Sequence, residues 1–137
     1  MVCPQKGDIL FSRANTREKL GASAIIYQDY PDLILPDKLW KLRFSDSVNI
    51  FWIKYVFSTK SIRNKFSSIS TGTSGTMYNI SMEKFKTITI PLPPTELQNE
   101  FGNFAQKATF LKKAIANNED RLADVKESLM SEHFNGI

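Results

Sequence analysis

Pro91-Leu92-Pro93-Pro94-Thr95-Glu96-Leu97-Gln98 is the stretch where two kinds of sequence meet. Three prolines in four residues neither continue a strand nor lie inside a helix, because proline lacks a backbone donor and fixes φ. Thr95 followed three residues later by Gln98 reads as a capping box opening a helix. From there to about Glu132 no proline occurs, and only Gly102 interrupts the helix formers. Leu97, Phe101, Phe104, Ala108, Leu111, Ile115, Asn118, Leu122, Val125 and Leu129 follow one another in alternating steps of four and three. That spacing is the seam of a coiled coil. A helix over 96–132 would be about 55 Å long at ~1.5 Å per residue. A domain of this size cannot cover so long a helix, so its seam needs a partner helix. Asn118 is the one polar position of the seam, either a buried amide that favours one register or a locally wet layer.

Upstream of the prolines the pattern is mixed. Asp8–Ser12 and Ser23–Gln28 are short apolar runs bounded by Gly7 and Gly21 and suit strands. Lys38–Phe44 alternates, with Trp40, Leu42 and Phe44 on one face and Lys41 and Arg43 on the other. From Asn49 to about Lys65 the spacing is helical, with Ile50, Ile53, Val56 and Phe57 as the apolar stripe. Ser67–Thr76 is almost wholly Ser, Thr and Gly and predicts a loop. A short helix is expected from Ser81, and Thr87–Leu92 alternates threonine with isoleucine as a strand would. The expected fold class is α+β: a small mixed domain over 1–94 followed by a long coiled-coil helix over 95–137.

Composition narrows the function. Of the 137 residues 42% are apolar and 12% aromatic, enough for a core. No apolar run approaches the ~18–20 residues that span a bilayer, and Met1–Lys6 lacks the apolar run of a signal peptide. These features predict a cytoplasmic protein without a membrane. Residues 1–95 carry 13 Lys/Arg against 7 Asp/Glu, whereas residues 96–137 carry 5 against 7. The basic part suits a polyanionic partner.

Catalytic patterns are missing. Cys3 and His133 are the lone cysteine and histidine and stand at opposite ends of the chain. The loop Ser70-Thr71-Gly72-Thr73-Ser74-Gly75-Thr76 has no Lys-Ser/Thr after its glycines and is no P-loop. There is no dinucleotide fingerprint, nucleophile elbow or histidine pair for zinc. No metal, cofactor or catalytic residue is therefore expected.

Two segments carry the vocabulary of DNA binding. Arg13-Ala14-Asn15-Thr16-Arg17 closes a strand, and arginine and asparagine pair bidentately with guanine and adenine. The hydroxyl-rich loop brings Thr71, Thr73, Ser74 and Thr76, with Tyr78 and Asn79 just after it. Lys60, Arg63 and Lys65 precede the loop and offer phosphate contacts. Each motif alone also reads as a solvated loop or a charged strand end.

The order of these pieces resembles the specificity subunit of type I restriction–modification systems. Gly7-Asp8-Ile9-Leu10-Phe11-Ser12-Arg13, the Gly-Ser/Thr loop, Asn79-Ile80-Ser81 and Ile90–Pro94 with Glu96 and Gln98 carry the resemblance, which covers nearly the whole chain. It implies a target recognition domain and a spacer helix. In that family two recognition domains are separated by two long helices that pair antiparallel and set the half-site distance. The subunit docks on modification subunits, which hold S-adenosylmethionine and methylate adenine, and on restriction subunits, which cut and translocate. None of those activities resides in the specificity subunit. This chain has one domain and one helix, and begins close to the Gly-Asp-Ile-Leu strand, so it corresponds to a half-size or truncated subunit. The resemblance then implies double-stranded DNA as ligand, and a homodimer or pairing with another specificity-subunit helix. The alternative is a truncated coiled-coil interaction protein without autonomous DNA specificity.

Overall fold

The computed structural model describes residues 2–72 and 77–135, with side chains described to residue 132. It is an α+β protein that divides into two compact units, Met1–Gly102 and Asn103–Ile137.

The first unit is built on a three-stranded antiparallel sheet. The central strand β1 (Ile9–Ser12) is flanked by β3 (Ser23–Ile25) and β4 (Leu39–Leu42). Phe11 stands opposite Ser23 on one side and Trp40 on the other. The period of two turns Ile9 and Phe11 into the core, where both are fully buried. A second, two-stranded sheet joins β2 (Ala14–Asn15) to β5 (Tyr78–Asn79).

Helix α1 (Ile50–Ser58) buries Ile53, Val56 and Phe57, with Ile50 half-buried, as the stripe predicts. The expected single helix over 49–65 is instead two. Thr59 adopts φ −68° and ψ 146°, closing α1 and opening α2 (Lys60–Ile69). Its hydroxyl accepts the Ile62 amide at 3.4 Å and donates to Val56 O at 2.7 Å, so one side chain satisfies both helix ends. Helix α2 also runs into the expected loop, through Ser67 and Ser68 to Ile69. The break lets Ile62 and Phe66 face the same core as α1. Phe66 is fully buried between Phe11, Phe57 and Phe85, with ring centroids at 5.0, 5.5 and 6.2 Å. Gly21, at φ +78°, lies against the same ring; an added Cβ would stand 2.6 Å from Phe66 Cδ2.

Asp8 is a buried carboxylate with a structural task. It accepts the Gln5 amide at 2.7 Å and Arg43 Nε at 2.9 Å, and Lys41 Nζ lies 4.0 Å away. Lys41 of β4 and Arg43 just after it thereby tie that strand to the entry of β1. Asp8→Ala should cost about 2–3 kcal/mol, below the range for fully buried pairs because Arg43 is half exposed and can resolvate. Urea unfolding followed by circular dichroism measures it.

Ser81 caps α3 (Met82–Phe85), accepting the Lys84 amide at 3.2 Å. The strand expected over Thr87–Leu92 does not form. Ile88 and Ile90 pack on the core, but no ladder forms on this stretch, which runs into prolines that lack donors. Its alternation records a half-buried extended path, and Pro91 O accepts the Trp52 indole N–H at 2.9 Å. The strands expected over 23–28 and 38–44 are shorter than their apolar runs.

Helix α4 covers Thr95–Asn135, 41 residues. The capping box foreseen at its start takes a different form. Thr95 is already helical and its hydroxyl donates to Ser47 O at 3.0 Å. Gln98, 1% exposed, donates to Pro93 O at 2.7 Å and accepts the Asn49 amide at 2.9 Å. Gly102 admits this close approach, since a Cβ there would lie 2.6 Å from the Asn49 amide group. Phe101 packs edge-on to Trp52 at 5.3 Å and lies 5.0 Å from Tyr55. The first two turns of α4 therefore belong to the first unit.

In the second unit the seam residues Phe104, Leu111, Ile115, Leu122, Val125 and Leu129 are 56–70% exposed. Among the described residues no helix is long and apolar enough to cross a membrane.

Candidate nucleic-acid interface

The two segments that carry DNA-binding vocabulary are some sixty residues apart in sequence, and the small second sheet joins them. Ala14 pairs with Asn79 and Asn15 with Tyr78. On the other side of Asn79, Thr71 exchanges both backbone hydrogen bonds with it, each at 2.9 Å. Ile80 N then donates to Arg13 O at 2.9 Å, and the buried Ala14 and Ile80 anchor the junction to the core. The pairing is short because Arg13–Arg17 turns back at once. Asn15 Oδ1 accepts the Thr16 amide at 2.8 Å, and Leu20 N donates to Thr16 O at 2.9 Å.

Arg17 ties this junction to α2. Its guanidinium lies 4.4 Å from the centroid of the Tyr78 ring and donates to Ser67 Oγ at 3.0 Å. A stacked guanidinium keeps most of its donors in the plane and available to a phosphate or base. Arg63 reaches the same turn by donating to Glu18 O at 2.6 Å. Asn15, Arg17, Tyr78, Asn79, Thr71, Ser67 and Arg63 are thus one continuous group.

Lys54 joins it from α1, unmarked by the sequence pattern. Its ammonium is held below the usual lysine pKa, first by burial and second by the positive charge of Arg63. The sign is that of an unrelieved cation. The folded chain gives up this proton before the unfolded chain does, so stability from this group rises with pH through the window just below the ordinary value of 10.5. An anion bound between Lys54 and Arg63 would offset their repulsion and favour the charged form of Lys54.

The other expected residues are distributed differently. Arg13 donates from Nε to Asp37 O at 2.6 Å and lies 5.8 Å from the Trp40 ring. It lines a shallow concavity of about 400 Å³ with Asp37, Trp40 and Lys41, apart from the partners of Arg17. Lys60 and Lys65 are exposed on α2. Thr73, Ser74 and Thr76 lie outside the described residues. Ser67, Lys54 and Trp40 are additions that only the fold supplies; Ser67 stands at the start of the expected loop but lies in α2. Among the described residues no group of acidic, histidine or cysteine side chains could hold a metal ion.

The chain pairs a basic, hydroxyl-lined junction with a long helix whose apolar seam is exposed. The chain is 28% identical over 138 aligned residues to the type I restriction enzyme EcoKI specificity subunit of Escherichia coli (strain K12), covering 96% of this chain and 30% of the relative. It is 27% identical over 93 residues to the type I restriction enzyme EcoEI specificity subunit of Escherichia coli, covering 67% of this chain and 16% of the relative. The chain therefore spans less than a third of the length of these curated relatives. The type I restriction modification DNA specificity domain matches residues 2–127, nearly the whole of the described fold, and the chain belongs to that family.

Proposed function

We propose that this chain recognises double-stranded DNA in sequence-specific fashion as the specificity component of a type I restriction–modification complex. Residues 1–94 act as the target recognition domain and residues 95–137 as the spacer and dimerisation helix. The observation that carries the reading is the junction of Arg13–Arg17 with Thr71–Asn79, backed by Arg63 and Lys54. Lys60, Arg63 and Lys65 supply phosphate contacts, which carry no sequence information. Arg13, Asn15, Arg17, Tyr78 and Asn79 contact bases, together with Thr71 and the loop residues Thr73, Ser74 and Thr76. The chain acts without a cofactor and performs no chemistry. Methylation and cleavage belong to the modification and restriction subunits it docks in the cytoplasm. A second copy, paired through the helix, supplies the second half-site, so the target is a two-part palindrome.

Arg13 and Lys65 separate the two kinds of contact. Arg13→Ala should lower the preference for the cognate site by about tenfold, the worth of one bidentate base contact. Lys65→Ala should weaken binding to every duplex alike and reduce the salt slope by about one. Fluorescence anisotropy across a salt series measures both. Equal weakening of all sequences by both variants would make Arg13 a phosphate contact.

A further inference from the structure

We infer that Lys54 and Arg63 together hold one backbone phosphate of the bound duplex, and that Lys54 is kept in the fold for that contact. The inference rests on the DNA reading proposed above and adds to it a contact from α1. Lys54 follows the buried Ile53 and stands one turn before Ser58, at the edge of the apolar stripe, so it is half-buried. Ser58 Oγ donates to Lys54 O at 2.7 Å and lies 3.4 Å from the ammonium, a long contact that orients it and leaves its charge unopposed. The turn at Thr59 then brings Arg63 back from α2. Arg63 donates to Glu18 O at 2.6 Å, a bond that fixes the guanidinium without neutralising it.

The ion pairs of the molecule set this corner apart. Among the described residues every ion pair within 4.0 Å belongs to Asp8, with Lys41 and Arg43. Where a buried charge has a structural task, the chain supplies counter-charges. At Lys54 it supplies a second cation, and burial and Arg63 both hold the ammonium below the usual lysine pKa. A partly desolvated cation beside another cation costs folding free energy, and such sites mark function more often than structure. A phosphodiester carries one negative charge on two free oxygens, enough to accept from both side chains at once. A neutral base edge would leave both charges unopposed. The duplex backbone is the source, because Arg63 is bonded to the turn that carries Arg17, which reaches Ser67 and Tyr78. Lys60 and Lys65 are exposed and fully hydrated before DNA arrives, so an incoming phosphate gains less from either of them than from Lys54.

The test is Lys54→Met in the full chain, which keeps the stem and removes the charge. Affinity for every duplex should fall about tenfold, more than in Lys60→Met, with the salt slope reduced by about one and the order of preferred sequences unchanged. The urea midpoint should rise, because the unopposed cation is gone. Lys54→Arg should recover most of the binding. Weaker binding with a lower midpoint would make Lys54 a structural residue and overturn the inference. DNA affinity equal to that of the wild type would also overturn it, while leaving the DNA reading intact. If the wild type binds no duplex at all, the DNA reading falls and this contact with it. A wild-type midpoint that rises in inorganic phosphate over chloride of equal ionic strength, with DNA affinity unmoved by Lys54→Met, would mark a site for free phosphate and overturn the duplex contact.

Discussion

Phe66→Ala should remove about 3–5 kcal/mol of folding stability, enough to consume a large share of what a domain of this size possesses. Phe66 is fully buried, touches three other rings and closes over Gly21, so the vacated volume has few neighbours able to collapse into it. Phe66→Leu keeps most of the volume and should cost about 1 kcal/mol. The substitution also reaches function, because Phe66 anchors the buried face of α2, the helix that carries Arg63, Lys65 and Ser67. Binding to all DNA should fall in proportion to the unfolded fraction, with no change of sequence preference in what remains folded. Urea denaturation read by Trp fluorescence gives the first quantity; an unchanged midpoint would mean that α2 is not held by this ring.

Leu111→Glu should weaken dimerisation about a thousandfold or more. Leu111 is 59% exposed in the single chain, so its replacement costs the monomer little. In the proposed helix pair it would be buried in the seam, and symmetry counts every substitution twice. Two lost leucine burials at about 2 kcal/mol each amount to about 4 kcal/mol, a factor of about a thousand, before the cost of two unpaired carboxylates. Leu122→Glu should do the same. Among the described residues of its own unit the helix beyond Gly102 packs on nothing else, so its helicity should fall with the dimer. Sedimentation and circular dichroism at matched concentration check both; a dimer of unchanged affinity would mean that the seam is not the interface.

What the residues reveal before folding is uneven, and the reason is range. The proline junction and the four-three spacing of α4 are local signals, and they deliver the boundary at Thr95 and a helix of 41 residues. The alternation of Trp40, Leu42 and Phe44 survives as a core face, because burial on a sheet imposes that period. Thr59 hides the break between α1 and α2, since a threonine inside an apolar pattern looks like any other helical residue until its hydroxyl caps both ends. Thr87–Leu92 alternates as a strand yet pairs with nothing, because burial sets the period while partners set the ladder. The candidate site is the least legible part. Two-residue strands at Ala14–Asn15 and Tyr78–Asn79 leave no periodic trace, and Lys54 enters only because the turn at Thr59 carries Arg63 back toward it. The family resemblance names the segments; the contact of Arg17 with Ser67 and Tyr78 is what joins them.

DNA readout is most directly tested by selecting from a pool of randomised duplexes, with the full chain alone and together with the modification subunit proposed as its partner. The account predicts enrichment of a two-part palindromic site whose halves are held at a fixed gap. Failure of the folded protein to enrich any sequence in either condition would contradict it, and would leave helix pairing as the role of the chain.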